Sequence, residues 1–480
     1  MTGSEHTLVE PRLVKKRLSP LDVQRLLPQT NCKECGEENC MALATKLVNR
    51  EATLDQCPPV LQEKYKPQLE KLWEMLRPPV KEITFGQGPR QKRIGGKYVL
   101  YRHEFTYTNP TAIAVDVTDE MPEQELANRI KTVENFTYRY IGQDLRLDAL
   151  AVRSVSGDPK IFEKAMKSIV AQTDLPMVLC STSPEVVEAG LAATSTKRPL
   201  IYTANASNWK DMAELSIMYQ SPLVASAPQG IGELRSLVRT LAEYGVQDIV
   251  LDPGTFPADG LGRTIGSFST IRLAACKHDD EFFGYPIMAV PMVVWMDQRE
   301  LPEVLKWQEA CLAASLITRY ADMVVVHSLD GWALLPNLIL RQNIYTDPRK
   351  PVAVEAGIKT FGKAEPSSPL LMTTNFALTY YTVAADIDSF GLDCHLMVVD
   401  TEGLSVESAV AGRKLTAEKV AQALEQTKIA DKISHKQLII PGRAARLSGE
   451  IEELSGWKVL VGPLDSSGVQ KFIHDKWNPQ

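Results

Sequence analysis

The runs AIAVDV at residues 112–117 and LDALAVR at 147–153 begin the part of the sequence that decides the fold. Both are short and rich in β-forming residues, and a segment that suits a helix separates them. Further runs of this kind lie at 176–181, 199–203, 222–226, 248–252, 287–294 and 323–328. Eight such strands, each followed by a helix over about 230 residues, predict a central (β/α)8 TIM barrel. An open, doubly wound α/β sheet is the alternative.

Several polar residues follow the predicted barrel strands, at the end where the sites of such barrels lie. They are Asp116, Asn205, Asp252, Asp297 and His327. Their side chains could bind a ligand or transfer protons, and they could equally cap helices or satisfy loop backbone groups. No H-E-x-x-H, P-loop or G-x-S-x-G motif accompanies them. The residues alone therefore assign no reaction to the barrel.

Proline and glycine mark two breaks in the chain of 480 residues, one on each side of the barrel. They divide it into a small domain at 1–76, the barrel at 77–345, a linker at 346–368 and a last domain at 369–480. The formal net charge of −6 is spread along the chain without a basic stripe, so nucleic acid is not an expected partner. The sequence shows neither a signal peptide nor an apolar run long enough for a membrane span, which favours a cytoplasmic protein.

Four of the eight cysteines are concentrated in the first domain, with the spacing C-x2-C-x4-C-x16-C. They are Cys32, Cys35, Cys40 and Cys57. A [4Fe-4S] cube needs four soft thiolate ligands that converge on one place. Zinc ribbons usually present two C-x2-C pairs, and this segment has one. The spacing favours an iron–sulfur cluster, with a zinc site and unligated thiols as the alternatives.

The last domain contains four more β-rich runs, at 369–374, 395–400, 437–440 and 458–461. They predict a Rossmann-like α/β sheet whose strands end at one edge, where such sheets bind ligands. Each run leads into a polar or glycine-containing turn: TTN at 373–375, TEGLS at 401–405, PGR at 441–443 and GPLDSSG at 462–468. Together the turns indicate a bulky ligand with many hydrogen-bonding groups, and ordinary turn chemistry is the alternative.

Longer strings in these two domains resemble one known family. NCKECGEENCMALA at 31–44 and DQCPP at 55–59 resemble the cluster module of the corrinoid iron–sulfur protein large subunit. In archaea this is the gamma subunit of the acetyl-CoA decarbonylase/synthase complex. TTNFALTYYTV at 373–383, VDTEGLSV at 399–406, LIIPG at 438–442 and SGWKVLVGP at 455–463 resemble its corrinoid domain. The resemblance extends over the whole chain.

The resemblance implies that the four clustered cysteines ligate one [4Fe-4S] cluster and that the last domain binds a corrinoid. The implied corrinoid contacts are Thr373, Thr374, Thr379, Tyr380, Gly403, Leu404, Ser405, Val406, Pro441, Gly442, Gly462, Pro463, Ser467 and Gly468. A side chain at Gly403 is expected to enter the space where the backbone approaches the ring. The family usually has GPREASG in the last turn, whereas GPLDSSG stands here, so contacts from Leu464 and Asp465 are not carried over.

The resemblance also implies a methyl carrier of the reductive acetyl-CoA pathway. A Co(I) corrinoid would accept a methyl group from methyltetrahydrofolate or methyltetrahydrosarcinapterin and pass it to acetyl-CoA synthase/CO dehydrogenase. The cluster would reduce inactive Co(II). The implied partners are a small subunit in a heterodimer, the pterin methyltransferase and the synthase, with 346–368 as a tether that lets the corrinoid domain move. Two other functions stay open: an electron-transfer subunit, and a barrel methyltransferase that binds the pterin itself.

No D-x-H-x-x-G motif, through which many corrinoid proteins bind cobalt, is present. Only His395 has an aspartate two residues before it, and Val398 replaces the glycine. His395 begins an apolar run, which indicates a structural histidine in a strand. The corrinoid is therefore expected to be base-off, without a protein nitrogen ligand.

Overall fold

The computed structural model describes residues 18–49, 51–194, 197–296, 300–347 and 351–478. The described residues form two compact units. Within those ranges the first extends over 18–137 and 146–345, and the second over 138–145 and 346–478. Within the described ranges, no helix is both long enough and apolar enough to cross a membrane.

The cysteine-containing part of the first unit has three helices: α1 (Pro20–Gln24), α2 (Cys40–Val48) and α3 (Lys66–Leu76). Ser19 caps α1, because its hydroxyl accepts from the backbone N–H of Asp22 at 3.3 Å and Asp22 accepts from the backbone N–H of Ser19 at 3.2 Å. Apolar side chains from all three helices form a small core that also contains Cys40 and Cys57. The antiparallel strands β1 (Glu82–Phe85) and β2 (Lys92–Gly95) follow.

Strand β3 (Ala112–Thr118) and helix α4 (Glu123–Asn135) begin the barrel. The two-stranded hairpin of β4 (Thr137–Tyr140) and β5 (Gln143–Arg146) comes next, and its residues 138–145 belong to the second unit. Gly142 at its tip has a φ of +72°, and a Cβ there would collide with the side chain of Tyr381. The hairpin backbone therefore packs closely against the rest of the second unit.

The remaining barrel elements alternate strand and helix. The strands are β6 (Ala149–Arg153), β7 (Met177–Cys180), β8 (Leu200–Ala204), β9 (Leu223–Ser226), β10 (Ile249–Asp252), β11 (Met288–Ala289) and β12 (Met323–Val326). The helices are α5 (Pro159–Gln172), α6 (Pro184–Ala193), α7 (Trp209–Tyr219), α8 (Ile231–Tyr244), α9 (Leu261–His278), α10 (Pro302–Thr318) and α11 (Gly331–Ile344).

The eight barrel strands are parallel, in the order β10-β9-β8-β7-β6-β3-β12-β11. A bridge between Leu251 and Ile287 links the two ends, so the barrel is nearly closed and the open-sheet alternative is wrong. The predicted strand 287–294 is much shorter than expected, because β11 ends at Ala289 and a 3-10 helix occupies Pro291–Met296. Pro291 has no N–H for the sheet, which explains why the apolar run does not continue as a strand.

The second unit contains a mixed five-stranded sheet in the order β13-β15-β14-β16-β17. Its strands are β13 (Gly357–Phe361), β14 (Leu370–Thr374), β15 (Cys394–Val399), β16 (Gln437–Ile440) and β17 (Lys458–Val461). The helices are α12 (Ala377–Phe390), α13 (Val406–Ala411), α14 (Ala417–Thr427), α15 (Ser448–Ser455) and α16 (Val469–Lys476). All strand pairs are parallel except the pair of β13 with β15.

Strand β13 lies inside 346–368, which the prolines predict to be a linker. Residues 357–361 pair with the outer edge of β15 over five positions, so this part of the segment is an edge strand of the second unit. Only long-range pairing reveals it, because the short run GIKTF lacks the continuous apolar character of the central strands. Residues 348–350 of the same segment lie outside the described ranges.

Candidate functional site

The loop before α2 positions two of the four clustered cysteines. Cys32 is exposed and Cys35 half-buried, in a loop where Asn31, Lys33 and Gly36 have φ values of 48°, 65° and 82°. The side-chain oxygen of Asn31 accepts from the backbone N–H of Cys40 at 2.9 Å. This bond holds the loop against the start of α2.

The other two clustered cysteines are buried in the small core. Cys40 is the first residue of α2, where the positive end of the helix dipole favours a thiolate. Cys57 lies between two 3-10 turns and is 4% exposed. Burial raises the pKa of the Cys57 thiol, the backbone N–H of Val60 lowers it, and the three other cysteines raise it further. The other three clustered cysteines are therefore all within electrostatic reach of Cys57.

This donor set fits an iron–sulfur cluster. A [4Fe-4S] cube takes one thiolate at each of its four iron atoms, and the four cysteines of this small module match that number. Of these four thiols, those of Cys40 and Cys57 are buried and that of Cys32 is exposed. In the described part of the chain, no three His, Cys, Asp or Glu side chains lie close enough to share a single metal ion.

The second candidate region is the carboxyl edge of the sheet in the second unit. The chain leaves β14 to form β15 on one side and then crosses to form β16 on the other side of β14. Open α/β sheets bind ligands at such a change of direction, outside the carboxyl ends of the strands. The turns after β14 and β16 begin here. Thr374 ends β14, Pro441 follows the end of β16, and the two strands are neighbours in the sheet.

Thr373 and Thr374 are the polar residues that end β14, and both are essentially inaccessible, with exposures of 1% and 0%. Neither hydroxyl has a hydrogen-bond partner among the described residues. A buried hydroxyl without a partner is destabilising, by about 1–3 kcal/mol. Because successive strand residues point to opposite faces, the two hydroxyls serve different sides of the sheet. A ligand at this edge could form hydrogen bonds with these hydroxyls and would then remove the free-energy cost of leaving them without partners.

Gly403 has a φ of +76°, which favours glycine in this turn. A Cβ at this position would lie 2.9 Å from the Cβ of Pro351 and 3.1 Å from its carbonyl oxygen. A Cβ here would therefore meet protein first, and the effect of a side chain at 403 on ligand binding stays a prediction. The space is occupied by the segment that precedes β13, and the sequence could not show this because the two positions are far apart in the chain.

The turns after β16 and β17 lie side by side. The backbone N–H of Gly442 donates to the carbonyl of Pro463 at 2.8 Å, and a Cβ on Gly442 would lie 2.9 Å from the carbonyl oxygen of Gly462. The four residues predicted as corrinoid contacts in these turns, Pro441, Gly442, Gly462 and Pro463, therefore lie next to one another. Ser467 donates from its backbone N–H to Asp465 at 3.1 Å, which shapes the turn before α16, and Gly468 begins that helix as its cap.

The remaining predicted contacts are distributed around this edge. Thr379 and Tyr380 lie within α12, and burial raises the pKa of Tyr380, with smaller increases from Tyr381 and Asp388. Leu404 accepts from the hydroxyl of Thr401 at 2.8 Å. Ser405 and the buried Val406 lead into α13. The sequence interpretation did not assign a role to Asn375, although TTN at a strand end was a usable signal.

His395 lies near the amino ends of the parallel strands, away from the candidate site at their carboxyl ends. It pairs with Leu370 at the start of β14, whereas Val399 pairs with Thr374 at the end of β14. About 13 Å of strand therefore separate His395 from the turns. Burial lowers the pKa of His395, and its Nδ1 lies 3.4 Å from the hydroxyl of Thr360. This position agrees with a structural histidine.

The barrel has a polar network at the carboxyl ends of its strands. Asp116 contacts His327 Nδ1 at 2.6 Å, Arg129 at 3.1 Å and Arg153 at 2.9 Å. Asp252 accepts from Tyr202 at 2.8 Å and from the backbone N–H of Gly254 at 2.9 Å. Barrel groups therefore satisfy both carboxylates.

The other two barrel candidates are of different kinds. Asn205 accepts from the backbone N–H of Ser207 at 2.8 Å, which is loop chemistry as the alternative interpretation expected. Asp297 lies outside the described residues.

Acid should weaken the barrel through Asp116. Although burial acts to raise its pKa, His327, Arg153 and Arg129 hold the pKa of Asp116 below its usual value. The carboxylate therefore stabilises the fold above its unfolded pKa, about 3.9, and this contribution is lost as the pH falls through the lower folded value. We expect Asp116→Asn to lower the urea midpoint at pH 7 and to differ much less from wild type near pH 3.

Asp252→Asn provides the control of opposite sign. Burial raises the pKa of Asp252 despite bonds from Tyr202, Gly254 and Ser226. Its contribution is therefore greatest at low pH, and the advantage of wild type over Asp252→Asn should shrink as the pH rises above about 4. If the urea midpoints of the two variants changed with pH in the same way, the opposite pKa shifts of Asp116 and Asp252 would be contradicted.

The fold and the cysteine site define a multidomain α/β protein with an iron–sulfur module. The model of an Fe-S cluster family matches residues 27–59, which include all four clustered cysteines, and this match supports an iron–sulfur cofactor. The family model described as CO dehydrogenase/acetyl-CoA synthase delta subunit matches residues 82–473.

Several relatives of known name resemble the whole chain. Acetyl-CoA decarbonylase/synthase complex subunit gamma 2 of Methanosarcina thermophila is 46% identical over 466 residues, which cover 96% of this chain and 99% of the relative. Subunit gamma of Methanothermobacter thermautotrophicus is 44% identical and covers 95% and 98%, respectively. The chain belongs to the family of acetyl-CoA decarbonylase/synthase complex gamma subunits.

Solved structures of dihydropteroate synthase resemble part of the chain. The enzyme from Xanthomonas albilineans is 18% identical with a TM-score of 0.36, covering 50% of this chain and 95% of the enzyme. The enzyme from Thermus thermophilus is 14% identical with a TM-score of 0.38, covering 55% and 100%, respectively.

Proposed function

We propose that this protein is the corrinoid-binding methyl carrier of its complex and that a [4Fe-4S] cluster keeps the carrier active. The observation that carries the proposal is the pair of buried, unpartnered hydroxyls of Thr373 and Thr374 at the change of strand direction. Membership of the gamma-subunit family supports it. The second unit is then a Rossmann-like corrinoid domain.

The corrinoid, when bound, supplies a cobalt centre that accepts a methyl group from a methyl-tetrahydropterin and yields it to acetyl-CoA synthase. The chain's own residues hold and orient the macrocycle. The backbone at Pro441–Gly442 and Gly462–Pro463 would line the edge that holds it, where the two turns pack so closely that a side chain at Gly442 would not fit. The Thr373 and Thr374 hydroxyls offer hydrogen bonds, and His395 is too far along its strand to reach the same edge.

The [4Fe-4S] cluster, when bound, supplies low-potential electrons that return oxidised cobalt to its reactive state. Cys40 and Cys57 would hold it from within the small core. The exposed position of Cys32 would leave the module accessible to a partner protein that delivers electrons. The methyltransferase role is therefore that of a carrier component, with catalysis completed by partner enzymes.

The proposed partners follow from this role. A small subunit forms a heterodimer with this chain, and the pterin methyltransferase and the acetyl-CoA synthase/CO dehydrogenase visit in turn. The complex named for the relatives supports the presence of partner subunits. We place these steps in the cytoplasm of an anaerobic cell.

Metal and corrinoid analysis of oxygen-free protein tests the proposal. After reconstitution with iron, sulfide and hydroxocobalamin, the chain should carry about four iron atoms and one cobalt, with corrinoid and iron–sulfur absorption together. The Co(II) EPR spectrum should lack nitrogen splitting. Iron without retained cobalt would favour the electron-transfer alternative, and tight binding of a methyl-tetrahydropterin by the chain alone would favour the barrel methyltransferase.

A further inference from the structure

Asn375 is the residue directly after β14, and it is 6% exposed. Its side-chain oxygen accepts from the backbone N–H of Thr401 at 3.0 Å and from the backbone N–H of Gly403 at 3.0 Å, while the Thr401 hydroxyl, which donates to Leu404, lies 3.1 Å away. Its side-chain nitrogen donates to Asp400 at 2.8 Å. One amide therefore joins the end of β14 to the turn after β15.

The backbone of Asn375 joins a third segment. Its N–H donates to the carbonyl of Val399 at 2.9 Å, and its carbonyl accepts from the N–H of Val354 at 2.8 Å. The N–H of Ala377 also donates to the carbonyl of Val352, at 2.9 Å. The segment before β13, which also lies beside Gly403, is thereby fixed to the residues that follow β14.

The chemistry of this position requires a neutral amide. The acceptor side faces two backbone N–H donors, and the donor side faces a carboxylate that also accepts from the backbone N–H of Glu402 at 2.9 Å. A carboxylate at 375 would keep the acceptors but would lose the donor toward Asp400. An apolar residue would leave several buried groups unpartnered.

We propose that Asn375 is a positioning residue for the corrinoid site. It fixes the distance between the Thr373–Thr374 pair and the turn that contains Gly403–Val406, and so determines how firmly the macrocycle is retained. The inference rests on the proposed function, because it concerns the same site. It assigns a role to a residue that does not itself need to touch the corrinoid.

Asn375→Asp gives the most direct test, because its effect depends on pH. The new carboxylate lies against Asp400, and the other charged groups near this turn are Glu402, Lys414 and Lys419. Lys414 pairs with Glu402 at 2.6 Å, and Lys419 lies 3.4 Å from the backbone carbonyl of Asp400, so neither cation bonds the new carboxylate pair. Protonation of one member of that pair restores a donor, as in other carboxylates that share a site.

The experiment measures the loss of bound hydroxocobalamin from the full chain by gel filtration and visible absorption, at pH 8 and at pH 5.5. We expect Asn375→Asp to release it about tenfold faster than wild type at pH 8 and at a rate close to wild type at pH 5.5. Asn208→Asp is the matched control, since Asn208 is 8% exposed and donates to the Thr182 carbonyl at 2.8 Å in the barrel. It should lower the unfolding temperature without changing corrinoid release.

The double variant Asn375→Asp/Asp400→Asn keeps the test decisive if the single variant does not fold. It replaces the carboxylate pair with an amide–carboxylate pair and should hold the corrinoid within about threefold of wild type at pH 8. Release by Asn375→Asp at the wild-type rate, equal release at both pH values, or no improvement in the double variant would overturn the proposal. Failure of wild type to bind corrinoid would instead count against the proposed function.

Discussion

Replacement of Cys57 by alanine should remove the whole iron–sulfur cluster rather than a single iron atom. Cys57 is 4% exposed and lies within the small core, so no solvent ligand can easily take its place. A module this small depends on its metal centre for stability. We expect iron and sulfide to fall from about four of each per chain to nearly none, with loss of the reduced-cluster EPR signal.

Cys394→Ala is the control for the loss of a buried thiol. Cys394 is fully buried in β15, and burial raises its pKa to about 12, so it is an inert core group. This variant should keep its iron. The Cys57 variant should still accept a methyl group when a chemical reductant supplies reduced cobalt. Full iron and sulfide content in Cys57→Ala would refute the cluster assignment.

Thr374→Val should change stability and corrinoid binding in opposite directions. Valine has nearly the shape of threonine, and the Thr374 hydroxyl is fully buried without a partner. Its removal should stabilise the corrinoid-free second unit by about 1–2 kcal/mol, since an unsatisfied buried group is eliminated. The bound state should lose a hydrogen bond, and corrinoid affinity should fall by up to about tenfold.

Thermal unfolding of the corrinoid-free protein and titration with hydroxocobalamin measure the two effects. Thr111→Val provides the contrast, because the buried Thr111 hydroxyl donates to the carbonyl of Ala321 at 2.7 Å in the first unit. That variant should be less stable, with unchanged corrinoid affinity. If Thr374→Val destabilised the corrinoid-free protein as Thr111→Val does, the hydroxyl would have a protein partner and would not be reserved for a ligand.

The sequence predicts the barrel well because parallel strands are buried on both faces and appear as continuous apolar runs. Residues 323–326, for example, are MVVV and are all buried. The same rule fails at 287–294, where Pro291 ends the strand. It also misses β13, whose five residues are at most half-buried at the sheet edge.

The site is predictable only where one short segment contains its chemistry. The four cysteines lie close together in sequence, so their spacing indicates a shared centre. The hydrogen bonds of Asn375 reach Thr401 and Gly403, and the space beside Gly403 is filled by Pro351. These contacts depend on how the strands are ordered in the sheet. No local pattern of residues reveals them.

The hairpin at 138–145 makes the order of synthesis important for this protein. These residues belong to the second unit, although the chain continues through the rest of the barrel before Thr346 is reached. At about 5–20 residues per second, the intervening stretch of about 200 residues takes about 10–40 s to translate. During that time the hairpin lacks the part of its unit that contains Tyr381, the side chain next to Gly142. A fragment that starts at Thr346 would in turn lack this piece of its unit.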